Sequence, residues 1–147
     1  MTEPKPQAYV WQLRVYWEDT DAGGVVYHSR YLNFYERART EWLRSQGIEQ
    51  SLLAERDKLV FAIRRMEVDF LKAARLDDEL EVSVYSVRST GARLAFSQEI
   101  VRGGDGETLS RAQVTAVCLV ADTFKPARMP EWIKQKLKEA EALTDAE

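Results

Sequence analysis

The chain has 147 residues, of which 45% are hydrophobic and 31% are charged, and its net charge is −3. This length suits one domain and is too short for two domains of ordinary size. The composition is that of a globular protein, and no apolar run approaches the ~20 residues that a membrane-spanning helix needs. The acidic balance argues against a nucleic-acid binder, which normally carries a basic surface.

The N-terminal segment of the chain and its cysteine content predict a cellular compartment. The N-terminus Met-Thr-Glu-Pro-Lys-Pro lacks the apolar core of a signal peptide, and the only cysteine, Cys118, has no partner for an internal disulfide. We therefore expect a cytoplasmic protein without membrane insertion. Residues 1–8 are polar and contain two prolines, so we expect a flexible N-terminal tail followed by a single domain over residues 9–147.

The first half of the chain predicts one strand and one long helix. Alternating apolar and polar residues predict a strand over 9–17. Apolar residues at three- and four-residue spacing then predict a helix from Ser29 or Arg30 to Gln46, with Gly47 as its C′ residue. Its expected buried stripe consists of Tyr31, Phe34, Tyr35, Ala38, Trp42 and Leu43. We expect Arg39 and its charged neighbours on the wet side, and a shorter helix over 51–56.

The second half of the chain is dominated by period-two patterns. They predict a strand from Leu59 whose phase changes at Arg64-Arg65, which indicates a bulge. Three more strands follow, separated by turns near Ser89-Thr90-Gly91 and at Gly103-Gly104-Asp105-Gly106, and Pro130 opens a C-terminal helix. This order of elements predicts an α+β fold in which an antiparallel sheet of about five strands wraps around one long central helix.

The stretch from Glu18 to His28, between the first strand and the long helix, concentrates the chemistry of the chain. It contains three acids, the adjacent glycines Gly23 and Gly24, and the only histidine. A carboxylate on a turn beside a helix N-terminus combines a base or nucleophile with N–H groups that stabilise an oxyanion. From local sequence alone, Asp21 is more readily explained as a turn-stabilising Asx residue, and His28 is equally well explained as a capping or merely exposed residue.

Three segments make the chain recognisable. They are residues 15–44, with Glu18-Asp19-Thr20-Asp21-Ala22-Gly23-Gly24-Val25-Val26-Tyr27-His28, then Ala74-Arg75-Leu76-Asp77-Asp78, then Lys125-Pro126-Ala127-Arg128-Met129-Pro130. Together they closely resemble the 4-hydroxybenzoyl-CoA-thioesterase-like hotdog family, in its Tol–Pal-associated, YbgC-like branch. The resemblance covers roughly residues 10–135. It implies a hotdog fold and a thioester hydrolase that converts acyl-CoA to a carboxylic acid and coenzyme A without a cofactor.

The resemblance also implies functional residues. It places the catalytic carboxylate at Asp21, as base or nucleophile, and a functional residue at His28. The expected substrate-binding residues are Gly23, Gly24, Val25, Tyr27, Lys125 and Arg128. Lys125 and Arg128 are candidates from their own place in the sequence. A solvated surface is the simpler explanation for each basic residue taken singly, but these two lie in a proline-bracketed loop rather than on a regular face, which favours them as ligands of the CoA phosphates. Trp17 departs from the branch, which often has Tyr there.

Other expectations concern partners and rival functions. The family implies a homo-oligomer, a dimer whose sheets join or a tetramer of two such dimers, and the acyl carrier is either coenzyme A or an acyl carrier protein. We expect no metal site, because His28 and Cys118 are too far apart in sequence to offer ligand spacing. Two alternatives stay open: a hotdog hydratase or dehydratase, and a non-catalytic module that binds acyl-CoA or acyl carrier protein.

Overall fold

The computed structural model describes residues 9–145, so the expected tail over residues 1–8 lies outside the described part. The elements, in chain order, are β1 (Tyr9–Arg14), a 3-10 turn (Trp17–Asp19), α1 (His28–Ser45), α2 (Gln50–Arg56), β2 (Leu59–Phe70), β3 (Glu79–Thr90), β4 (Arg93–Arg102), β5 (Thr108–Val120) and α3 (Glu131–Asp145). None of the helices in this range is long and apolar enough to cross a membrane.

The five strands form one antiparallel sheet in the order β1-β3-β4-β5-β2. α1 lies against one face of this sheet, where Trp42 contacts Phe96 of β4 edge to face and the Tyr35 hydroxyl donates to Ser110 of β5 at 2.7 Å. The predicted hotdog architecture, an antiparallel sheet wrapped around one long helix, is confirmed.

The stripe that predicts α1 is its buried face. Tyr31, Phe34, Tyr35, Ala38, Trp42 and Leu43 are all buried, as expected from their spacing. The helix begins at His28, slightly earlier than expected. Beyond its C-terminal end, Gly47 has a φ of +80°, a left-handed conformation that glycine adopts without steric cost.

Arg39 contradicts the prediction that it lies on the wet side of α1. The residue is 6% exposed, and its Nη1 donates to Gln98 Oε1 at 3.1 Å. Gln98, itself fully buried, donates from Nε2 to the carbonyl of Tyr35 at 3.1 Å. Burial lowers the pKa of Arg39 to about 10. The helix therefore has a wider buried face than its apolar residues indicate, and a polar network fills the difference.

The first strand is shorter than its alternation predicts. β1 ends at Arg14, and the chain turns so that Val15 is buried while Trp17 is 77% exposed. The cause is Asp19, whose Oδ2 accepts the N–H of Tyr16 at 2.9 Å and draws the chain into the 3-10 turn. By contrast, the bulge expected at Arg64-Arg65 is confirmed, because the pairing of β2 with β5 shifts between Ile63 and Arg65.

The C-terminal part of the fold completes the core. Cys118 lies fully buried in β5, as expected, and burial raises the pKa of its thiol. α3 packs on β3, and its residues Ile133, Leu137 and Ala140 are buried.

Candidate active site

Asp21 lies at the corner of a tight hairpin that links the 3-10 turn to α1. Thr20 pairs with Val26 across this hairpin, and the N–H of Asp21 donates to the carbonyl of Val25 at 2.9 Å. The N–H of Gly24 donates back to the carbonyl of Asp21 at 3.0 Å, which closes the turn. Gly24 has a φ of +80°, so this position favours glycine.

The carboxylate of Asp21 is fixed through one oxygen and open at the other. Oδ1 accepts the N–H of Gly23 at 2.8 Å. A Cβ on Gly23 would lie 3.1 Å from this oxygen, so the absent side chain leaves room for the carboxylate. Oδ2 accepts no hydrogen bond from residues 9–145, and the side chain is exposed. The Asx turn considered from the sequence is therefore present, and it orients the carboxylate.

The N-terminus of α1 follows directly after the hairpin. The N–H of Tyr27 is occupied by the carbonyl of Asp19 at 2.9 Å, and that of Arg30 by the carbonyl of Tyr27 at 2.9 Å. Between them, the N–H groups of His28 and Ser29 have no acceptor within the described chain, and no side chain caps the helix. Two backbone donors at the positive end of the helix dipole are thus available to a ligand.

His28 lies at the wall of a shallow cavity of about 280 Å³. Its ring is 4.3 Å from the ring of Tyr27 and 6.4 Å from that of Phe70, measured between centroids. The cavity is lined by Val26, His28, Tyr31, Phe70, Leu71, Lys72 and Ala73. Asp21 is outside this lining, and no hydrogen bond or ion pair within residues 9–145 joins it to His28. The two predicted catalytic side chains are therefore not hydrogen-bonded to each other, although the same segment, 21–28, carries both.

A second segment, residues 73–78, lies against the hairpin that carries Asp21; we call it the brace segment. The carbonyl of Ala74 accepts the N–H of Val26 at 2.8 Å, and Val25 pairs with Arg75. Val25, which is expected to bind substrate, is half-buried. Its backbone contacts Asp21 within the hairpin and Arg75 of the brace segment.

Lys125 and Arg128 lie in the exposed loop that follows β5, and neither makes an ion pair within the described residues. Val120 at the end of β5 pairs with Leu59 at the start of β2, whereas Phe70, beside His28, ends that strand. β2 has 12 residues, and a straight strand of this length spans ~36 Å at ~3.3 Å per residue. Within one chain, the structure does not bring this loop to Asp21 and His28.

Sequence reasoning missed two residues that hold the site together. The hydroxyl of Tyr31, assigned only to the core, accepts the N–H of Ala74 at 3.0 Å. Arg102, on β4, donates to the brace segment from two of its nitrogens. The matching signature at 74–78 marked this segment as important but gave no sign of these distant partners.

The fold and this site together define a hotdog protein with an exposed, oriented carboxylate beside a helix N-terminus. The model of the thioesterase-like superfamily matches residues 15–137. An acyl-CoA thioester hydrolase YbgC of Escherichia coli is 45% identical over 130 residues, covering 88% of this chain and 95% of that protein. An acyl-CoA thioesterase YbgC of Helicobacter pylori is 33% identical and covers 86% and 97%.

Solved structures agree with the sequence relatives. A probable thioesterase from Bartonella henselae superposes with a TM-score of 0.77 at 40% identity, covering 84% of this chain and 99% of that one. A 1,4-dihydroxy-2-naphthoyl-CoA thioesterase from Synechocystis shares the fold, with a TM-score of 0.82 at 24% identity and coverage of 90% and 96%. The chain belongs to the thioesterase-like superfamily, together with the YbgC acyl-CoA thioester hydrolases.

Proposed function

We propose that this protein hydrolyses acyl-CoA thioesters to a free carboxylic acid and coenzyme A, with Asp21 as base or nucleophile. The observation that carries the proposal is the Asp21 carboxylate, which is exposed and oriented through Gly23 in the chain segment just before the free N–H groups of α1. The names of the relatives, which are acyl-CoA thioester hydrolases, support the substrate class.

The chemistry can follow two routes from this geometry. As a base, Asp21 takes a proton from water while the water oxygen attacks the thioester carbon. As a nucleophile, its free Oδ2 attacks that carbon directly and forms an anhydride, which water then hydrolyses. In both routes the carbonyl oxygen becomes an oxyanion, for which the N–H groups of His28 and Ser29 are the proposed donors. The C–S bond breaks when this tetrahedral intermediate collapses. In the first route this gives the carboxylic acid directly, and the thiolate takes the proton that Asp21 removed from water. In the second route the same cleavage gives the anhydride, before water hydrolyses it, and the thiolate is protonated by solvent.

We further propose that the active unit is a homo-oligomer in which two copies share each site. β2 is an edge strand of 12 residues that pairs only with β5. Antiparallel pairing of two β2 edges about a two-fold axis brings the start of one strand beside the end of the other. Lys125 and Arg128 of one copy would then bind the CoA phosphates near Asp21 of the second copy.

Two other functions compete with this proposal. A module that binds acyl-CoA or an acyl carrier protein without turnover would retain the fold and the loop that carries Lys125 and Arg128. In such a module Asp21 would only stabilise the turn. A hydratase or dehydratase would use His28 and an acid together on one double bond, and the names of the relatives, which are thioester hydrolases, disfavour it.

The variant Asp21→Asn tests the proposal. The asparagine oxygen still accepts the N–H of Gly23, so the turn is kept while the charge is lost. We expect kcat for thiol release to fall by about 10²–10⁴-fold, the scale for losing a positioned acid–base group, with little change in acyl-CoA affinity. Glu18→Gln is the matched control, because it removes an exposed charge three residues earlier. If Asp21→Asn retains kcat within about threefold of the control, Asp21 is not the catalytic group.

A further inference from the structure

The brace segment is held at both ends by side chains from other elements. At one end, the N–H of the fully buried Ala74 donates to the hydroxyl of Tyr31 on α1 at 3.0 Å. At the other end, Asp78 Oδ2 accepts the N–H of Arg75 at 2.9 Å and Nε of Arg102 at 3.1 Å. Arg102 also donates from Nη2 to the carbonyl of Ala73 at 3.0 Å. The segment is thus fixed between α1 and β4.

The same segment supports both sides of the catalytic stretch. Its Ala74 carbonyl accepts the N–H of Val26, which directly follows the Asp21 turn. Its Asp78 carbonyl accepts the N–H of Val15 at 2.9 Å, and Asp77 N–H donates to the carbonyl of Val15 at 3.1 Å. A short chain of bonds therefore leads from the Tyr31 hydroxyl, through the backbone of Ala74, to the hairpin that presents Asp21.

We propose that Tyr31 is a positioning residue for the hydrolysis: its hydroxyl holds the brace segment against the hairpin and so fixes Asp21 and the first N–H groups of α1. This inference rests on the proposed function. Without the hydroxyl, the buried N–H of Ala74 has no partner, and the backbone must shift to find one. A displacement of ~1 Å at a reacting group lowers the rate by up to ~10²-fold, even when its cause lies outside the site.

The same helix offers a matched control in Tyr35, one turn further along. It is buried like Tyr31, and its hydroxyl donates to Ser110 Oγ at 2.7 Å, within the core and away from the brace segment. Burial raises the pKa of both phenols, so both stay protonated at neutral pH. Tyr31→Phe and Tyr35→Phe each remove one buried hydroxyl, but only the first removes it from the brace segment.

The experiment compares these two variants in kinetics and in backbone amide hydrogen exchange. We expect Tyr31→Phe to lower kcat about tenfold or more, with little change in KM and an unchanged shape of the pH profile, because the phenol does not titrate in the reaction. We expect Tyr35→Phe to keep kcat within about twofold of wild type. In Tyr31→Phe alone, the amides of Val26 and Ala74 should exchange faster.

Two results would overturn the inference. Equal kcat values in the two variants would remove any special role of Tyr31. A fall in kcat with wild-type exchange at Val26 and Ala74 would mean that the hydroxyl acts on the substrate directly rather than through the brace segment. If the wild-type protein hydrolyses no acyl-CoA, the proposed function fails, and the exchange comparison still decides whether Tyr31 holds the segment.

Arg102→Met removes the contacts of β4 with the brace segment, at Ala73 and at Asp78, and serves if Tyr31→Phe does not fold. Its matched control is Arg111→Met, since Arg111 pairs with Glu99 on the sheet at 3.1 Å and does not touch the segment. We expect faster exchange at Val26 only in Arg102→Met. Equal exchange in both arginine variants would count against the brace.

Discussion

At the scale of single residues, the Asp21 turn depends on two glycines for different reasons. Gly24 supplies a left-handed backbone conformation, whereas Gly23 supplies space, because a Cβ there would lie 3.1 Å from Asp21 Oδ1. The Gly23 backbone has no left-handed φ, so a substitution there acts on the carboxylate rather than on the turn.

We therefore predict that Gly23→Ala lowers kcat by about tenfold, because the new Cβ displaces a carboxylate that must be held in place. Gly104→Ala is the control: Gly104 also lacks a left-handed φ, and a Cβ there would meet no atom within 4 Å. Steady-state thiol release and thermal melting of both variants provide the comparison. The same kcat in Gly23→Ala and Gly104→Ala would show that catalysis tolerates a displaced Asp21 carboxylate.

The sequence predicts the residues of this turn better than the residues that support it. Asp21 and the glycines carry a local signature, which a reader of the sequence can recognise. The buried roles of Arg39 and Tyr31 depend on Gln98 and on the N–H of Ala74, which are distant in the chain. No local pattern encodes such partners, so the sequence predicts that the whole polar side of α1 faces solvent.

At the scale of elements, β2 presents an edge that a single chain leaves uncovered. It pairs only with β5, and Ile63 near its middle is 47% exposed. Arg65 and Glu67 form an ion pair along the same strand. An edge of this length with an exposed apolar side chain invites pairing with another strand. This edge is the surface on which the proposed dimer depends.

We predict that Ile63→Lys converts the oligomer to a monomer at micromolar concentration and lowers activity, because an edge lysine opposes strand pairing. Val10→Lys is the control, since Val10 lies on β1, the opposite edge of the sheet, and is 45% exposed. Sedimentation velocity measures the mass of each variant. If Ile63→Lys sediments like Val10→Lys, the β2 edge is not the interface.

Period-two and helical patterns predicted the elements well, because both reflect which side faces the core. The helix α1 and the bulge at Arg64-Arg65 are confirmed on that basis. The pattern failed at the end of β1, where the side chain of Asp19 binds the N–H of Tyr16 and overrides the alternation. Periodicity reports burial, and it does not report a local hydrogen bond that turns the chain.

At the scale of the whole molecule, the proposed catalytic and phosphate-binding residues lie at opposite ends of β2. The order of elements predicts an antiparallel sheet wrapped around one long helix, since few closures suit these elements, and the family resemblance implies the hotdog fold. The order of elements does not place Lys125 and Arg128 relative to Asp21. That relation depends on the arrangement of two copies, which a single sequence does not contain.

Mixing two variants with different defects, one in kcat and one in KM, tests whether the site is shared. Asp21→Asn lacks the carboxylate. The double variant Lys125→Ala with Arg128→Ala lacks the two basic side chains that are proposed to bind the CoA phosphates. If each site uses Asp21 of one copy and the loop of the other, a mixed dimer has one intact site of its two. About half of the dimers in a 1:1 random mixture are mixed, so about one site in four is restored. We expect low-KM hydrolysis to return after co-refolding the two variants. No recovery, with mixed dimers shown by mass spectrometry, would place the whole site within one chain.

Because the thiol of Cys118 is buried, it should not interfere with assays that measure the thiol of released coenzyme A. It is the only cysteine of the chain, it is fully buried in β5, and burial raises its pKa. A reagent that reacts with thiolates should therefore titrate the released coenzyme A and leave the folded protein unlabelled. Under denaturant the same cysteine becomes accessible, so the rate of its labelling reports how often the core opens. Cys118 therefore adds no thiol signal to the enzyme assay, and its labelling rate measures the unfolding of the same protein.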